Sequence, residues 1–164
     1  MPAITLETAP IAKTGMMIRR PAAEVFEAFV DPAVTTKFWF TKSSGRLEAG
    51  RSVIWTWEMY GASTEVTVKA LEPGRRIVVE WQGYRGSTIV EWKLAALTEG
   101  TTFVSVTESG FGGNGDEIVA AVINSGQGFT WTLAGAKALL EHGVRLNLVA
   151  DRFPKGPTIP YPDE

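Results

Sequence analysis

Cysteine is absent from this 164-residue chain. That excludes disulfides, thiolate catalysis and cysteine-ligated metals, and it fits a reducing compartment. Histidine occurs once, as His142, too few for a His/Cys zinc centre or a haem site, so no metal and no cofactor is expected. The formal net charge is only −2 and no Lys/Arg cluster offsets it locally, which leaves no electrostatic footprint for nucleic acid. No apolar run approaches the ~20 residues that span a bilayer, so membrane insertion is not expected. Residues 1–15 lack the basic stretch and apolar core of a signal peptide, and the expectation is a cytoplasmic protein. Internal repeats and low-complexity tracts are missing too. A chain of this length suits one domain with a substantial core.

Alternation dominates what is present. In residues 52–60, Val53, Trp55, Trp57 and Met59 share one parity, while Ile54, Thr56, Glu58 and Tyr60 share the other. The pattern recurs around Val66/Val68, Ile77/Val79/Trp81, Val90/Trp92/Leu94 and Val104/Val106. Strand side chains alternate between faces, so these runs predict an antiparallel sheet with one wet face and one dry face. Four of the six tryptophans fall on the dry side.

Helical spacing brackets the strands. Residues 14–20 read as a first strand. Pro21 suits a helix start, and Val25, Phe26, Phe29 and Val30 make an apolar stripe. Asp31–Pro32 ends that helix and restarts a second, with Asp31 as N-cap. Phe38, Trp39 and Phe40 follow, and the last two read as exposed aromatics of the kind that mark an interface. Glycine-rich residues 110–115 precede a short helix over 116–123. A separate long helix spans 126–141, with Ser125 as its cap and Phe129, Leu133, Ala136 and Leu140 on one stripe. Gly143 is a natural stop, with His142 in the last turn, where the helix dipole favours its positive form. Residues 144–152 form a further short element of undetermined type. The expected organisation is an N-terminal arm (1–13), one domain (14–152) and a proline-rich extended tail (153–164). Helices segregated against an antiparallel sheet make an α+β architecture, with the long helix covering the aromatic face.

At residues 18–29, with Ile18 followed by Pro21-Ala22-Ala23-Glu24-Val25-Phe26-Glu27-Ala28-Phe29, then at Asp31-Pro32 and Phe38-Trp39-Phe40, the chain resembles the START/Bet v-like (SRPBCC) superfamily. Within it, the chain looks most like bacterial relatives of the activator of heat-shock-protein-90 ATPase. The closing match is Gly128-Phe129, Leu133, then Ala136-Lys137-Ala138-Leu139-Leu140-Glu141 and Gly143, with Ala136 and Phe129 standing where the family usually has leucine and tryptophan. The likeness runs from about residue 14 to 143. It implies a helix-grip fold, in which a curved antiparallel sheet wraps a long C-terminal helix, often with an apolar cavity between them. Residues 144–164 lie beyond it.

The candidate ligand-binding residues follow. Trp55, Trp57, Trp81 and Trp92 would line the space under the helix, with Phe38, Phe111 and Phe129 at its margins and Leu133 on the helix. They read equally as an ordinary core or as the wall of a pocket for a small hydrophobic molecule. Small residues Ala134, Gly135, Ala136 and Ala138 have the same two readings, leaving space or letting the helix approach. Glu108 is the sharpest single residue. Glu58, Glu65, Glu80 and Glu91 point outward by parity, whereas Glu108 follows Val104 and Val106 inward, unless the strand has frayed there. Arg75 and tryptophan indole N–H groups are its candidate partners.

Gly110-Phe111-Gly112-Gly113-Asn114-Gly115 matches the dinucleotide pattern G-x-G-x-x-G. Asp116 and Glu117 would repel a pyrophosphate at that helix start, and no parallel strand follows, so a loop gating the cavity mouth with Phe111 is the better reading. Trp131 lies off the main helical stripe, against the arm or a partner subunit.

The function expected is binding of a small hydrophobic or aromatic ligand between sheet and helix, with Glu108 as polar anchor and no assigned catalytic residue. Two alternatives stay open. One is a chaperone-associated, stress-related interaction protein. The other is a cofactor-free cyclase or dehydratase on a polyketide-like substrate, using Glu108 with Tyr84 or Arg85. A homodimer and a chaperone are the macromolecular partners left open.

Overall fold

The computed structural model describes residues 2–83 and 85–156. Tyr84 and the part of the tail from 157 to 164 lie outside the described residues. Strand β1 (Ala12–Ile18) leads into helices α1 (Ala22–Val30) and α2 (Pro32–Thr35). Then come β2 (Lys42–Ser43), β3 (Ser52–Trp57), β4 (Ala62–Glu72), β5 (Arg76–Gly83), β6 (Gly86–Thr98) and β7 (Thr101–Ser109). The long helix α3 (Gly115–His142) and a short α4 (Leu148–Arg152) complete the chain. Among the described residues the strands form one antiparallel sheet in the order β1-β7-β6-β5-β4-β3-β2. This is the expected α+β helix-grip architecture.

Parity governs burial. Val53, Trp55, Val66, Val68, Ile77, Val79, Val90, Trp92, Val104 and Val106 are all buried, whereas Ile54 and Phe103, on the opposite parity, are exposed. Two departures stand out. Strand β3 stops at Trp57, and residues Glu58–Tyr60 form a 3-10 turn closed by left-handed Gly61, so Met59 is exposed rather than inward. Strand β4 carries a register shift between Val68 and Ala70, opposite Val79 and Val78. Over that stretch the alternation lapses, and Ile77, Val78 and Val79 are buried in succession.

The helices at the start behave as their sequence dictates. Asp31 caps α2 by accepting the Ala33 N–H at 2.9 Å, with Pro32 in the first turn. The segment after α2 corrects the interface expectation for Trp39 and Phe40: both are buried, at 7% and 1% exposure. Trp39 inserts between sheet and helix, with ring centroids 4.9 Å from Trp55, 5.8 Å from Phe129, 5.9 Å from Trp92, 6.0 Å from Trp57 and 6.1 Å from Trp81. Phe40 stacks on Trp55 at 4.6 Å.

Helix α3 is one continuous element, which corrects the expected break near residue 125. Asn114 begins it with a capping box, accepting from the Glu117 N–H while the Glu117 carboxylate accepts from the Asn114 N–H. Gly126 and Gly128 weaken a helix by about 1 kcal/mol each relative to alanine, but the tertiary contacts of this helix override that propensity. A Cβ on Gly128 would come within 3.0 Å of Arg152, and one on Gly135 within 3.3 Å of Phe38. Gly128 and Gly135 therefore serve close approach. The C-terminal half of α3 is clamped to the end of β1: Lys137 donates to the Met17 carbonyl and to Glu141, and Glu141 also accepts from the Arg19 N–H.

Two outcomes are expected. Trp39→Ala should cost roughly 3–5 kcal/mol in urea unfolding, whereas Trp131→Ala, 45% exposed, should change stability by about 0.5 kcal/mol or less; equal effects would remove Trp39 from its central place. Burial alone would raise the Glu141 pKa, but the hydrogen bonds from Lys137 and Arg19, with their charges, hold it below the usual carboxylate range. A carboxylate lowered in the folded state stabilises fully above its unfolded pKa, about 4.3, and loses that contribution as pH falls through the folded value. Stability should therefore decline on acidification below that point, less steeply in Glu141→Gln. Parallel acid limbs in the two proteins would contradict this.

Candidate functional site

The polar centre of the site is assembled by sheet register. Trp81 on β5 lies opposite Thr88 on β6, and Val90, two residues on, lies opposite Glu108 on β7. All four point to the dry face. Glu108 is buried, at 6% exposure, so β7 has not frayed there. Its Oε1 accepts from Trp81 Nε1 at 2.9 Å and from Thr88 Oγ1 at 2.6 Å. Its Oε2 accepts from the Ser125 hydroxyl of α3. The indole partner is the one expected. Arg75 is not: it sits in the turn before β5, its side chain 79% exposed, paired with Glu72. Ser125 is likewise corrected from helix cap to mid-helix donor.

Beside this cluster opens a cavity of about 670 Å³ between the sheet and the N-terminal half of α3. Trp39, Trp57, Trp81, Phe111 and Phe129 supply its aromatic wall, and Thr88, Glu108 and Ser125 its polar side. Phe129 stacks on Trp81 with centroids 6.0 Å apart. Of the residues singled out in the sequence, the structure thus places Trp57, Trp81, Glu108, Phe111 and Phe129 on the lining. Trp55, Trp92 and Leu133 lie behind it in the core, each at 1% exposure or less. Phe38 packs edge-on to Phe29 instead. The Trp92 indole N–H has no hydrogen-bond partner among the described residues and is packed amid the rings of Phe29, Trp39 and Phe129.

Another part of the lining comes from segments that alternation does not reveal. Tyr60, from the 3-10 turn, donates to the Val149 carbonyl of α4 and meets Phe153 edge-on at 5.9 Å. Burial raises the Tyr60 phenol above its ordinary pKa. Arg152 donates to Asn124 Oδ1 at 2.8 Å and lies over the Phe153 ring. Residues beyond the region of resemblance therefore form part of the wall. Thr88 was findable from its inward parity with Val90 and Trp92; Tyr60, Val149 and Arg152 carry no such signal.

The glycine pattern at 110–115 serves packing. A Cβ at Gly112 would come within 2.5 Å of the Arg85 carbonyl oxygen, and one at Gly115 would overlap the Ile4 carbonyl oxygen outright. Asp116 accepts the Ile4 N–H at 3.1 Å, so the helix start holds protein carboxylates where a phosphate would sit. Among the described residues no cluster suits a metal ion, and no helix is long and apolar enough to cross a membrane.

The comparisons with known proteins bear on the fold and the family. No curated protein matches the sequence. Among solved structures, protein SSP2350 from Staphylococcus saprophyticus is 30% identical, with a TM-score of 0.72 over 84% of this chain and 96% of its own. The Aha1 dimer from Colwellia psychrerythraea is 19% identical, with a TM-score of 0.69 over 82% of this chain and 98% of its own. DynU16, from the dynemicin biosynthetic locus, is 24% identical, with a TM-score of 0.71 over 82% of this chain but 48% of its own. The sequence matches the Activator of Hsp90 ATPase homolog 1-like protein family over residues 19–141, and the chain belongs to that family.

Proposed function

We propose that the protein binds a small apolar or aromatic molecule in the cavity between the aromatic face of the sheet and α3. The observation that carries this reading is the cavity itself: about 670 Å³, within the usual range for small-molecule sites, walled by rings and bearing polar groups on one side. Glu108 would orient the ligand through its polar end. Tyr60 and α4 would govern passage through the mouth.

A cyclase or dehydratase role has less support. Thr88 and Ser125 lie within hydrogen-bond reach of Glu108, so a second polar group is present, but both are neutral hydroxyls and make a weak acid/base pair for proton transfer. Tyr84, the other candidate, lies outside the described residues, and Arg85 is paired with Glu117 at 2.5 Å. The chaperone-associated reading rests on the family description alone.

Titration with the neutral dye N-phenyl-1-naphthylamine, read by its emission and by tryptophan quenching, should show saturable binding. Ala121→Phe, which fills the cavity from α3, should abolish it while leaving the thermal midpoint little changed. Unaltered binding in that variant would place the dye elsewhere. Tyr60→Phe removes the hydrogen bond to Val149 and should speed dye release in stopped-flow mixing; an unchanged release rate would rule out a gating role for that contact.

A further inference from the structure

Resting on the binding reading above, we infer that the ligand class is a hydrophobic amine, bound as its ammonium form with the nitrogen at Glu108. Two independent features of the cavity converge on a positive charge. The first is the carboxylate. Its three donors among the described residues are an indole N–H and two hydroxyls, all neutral. These dipoles solvate the carboxylate in place of water but do not balance its charge, and a buried charge without a counter-ion is costly. A carboxylate offers about four lone-pair sites, so three donors leave capacity for one more. An ammonium N–H supplies both the missing donor and the missing charge.

The second feature is the wall. Trp39, Trp57, Trp81, Phe111 and Phe129 surround the same space, and aromatic faces carry the negative side of a quadrupole. A ring that presents its face to the ligand attracts a cation and its attached carbon atoms alike. Of the cations on the lining, Arg85 is balanced by Glu117, and Arg152 is engaged by Asn124, Gln127 and the Phe153 ring. An anionic ligand would share the cavity with the Glu108 carboxylate and be repelled by it.

The test is competition against bound N-phenyl-1-naphthylamine by three naphthyl-alkyl compounds of equal chain length, ending in a primary amine, an alcohol and a carboxylate, at pH 7. The amine should compete about tenfold or more better than the alcohol, and the carboxylate worst. The alcohol also donates a hydrogen bond, so the difference isolates charge. In Glu108→Gln the amine should lose its advantage while the alcohol is little affected, with circular dichroism reporting the fold. Equal or better competition by the alcohol or the carboxylate in the natural protein would overturn the amine assignment while leaving cavity binding intact, and that ranking decides the matter even if the variant does not fold. An amine preference that survives in folded Glu108→Gln would overturn the role of Glu108. Failure of the dye and of all three compounds to bind would overturn the binding reading itself, and the amine assignment with it.

Discussion

The insertion of Trp39 between the sheet and α3 is the contact on which the rest of the molecule depends. Its ring lies within 6.1 Å, centroid to centroid, of Trp55, Trp57, Trp81, Trp92 and Phe129. Aromatic pairs of this kind add about 0.5–1.5 kcal/mol each beyond their buried area. Trp39 belongs to the buried core cluster and also lines the cavity. The same ring is thus core on one side and lining on the other.

Glu108 sets the opposite boundary. Closing the helix onto the sheet with apolar residues throughout would give a packed core. Instead, β5, β6, β7 and α3 each contribute one polar group to a single cluster. Burying a carboxylate opposes folding unless its hydrogen bonds are made, and here three elements supply them. The cluster fixes the height of α3 above the sheet at its N-terminal half, while Lys137 and Glu141 fix the other half against β1. Between these two attachments the helix packs tightly against Phe38 at Gly135, and on the N-terminal side of Ser125 the cavity is lined by Ala120 and Ala121.

Local signals misled where tertiary packing took over. The run Asn124-Ser125-Gly126-Gln127-Gly128 has the residues of a helix boundary, yet α3 runs through it, because Gly128 admits the Arg152 side chain and Ser125 has a buried acceptor. Trp39 and Phe40 sit beside a short helix and read as exposed, but the curved sheet folds over them. The glycines at 110–115 imitate a nucleotide loop, although Gly112 and Gly115 make their close approaches to the protein's own backbone.

Alternation by itself determined the sheet and its dry face, because strand side chains obey a period of two whatever lies beyond the strand; it made Glu108 inward only if β7 ran on that far, which the structure decided. The helical stripes and the caps at Asp31 and Gly143 were equally local and equally legible. Only the tertiary structure decided which aromatic residues line a cavity and which fill the core, that Ser125 and Thr88 satisfy Glu108, and that α4 joins the cavity wall. Those outcomes depend on sheet curvature and on contacts between residues far apart in the chain, and no periodicity in a single strand or helix encodes either.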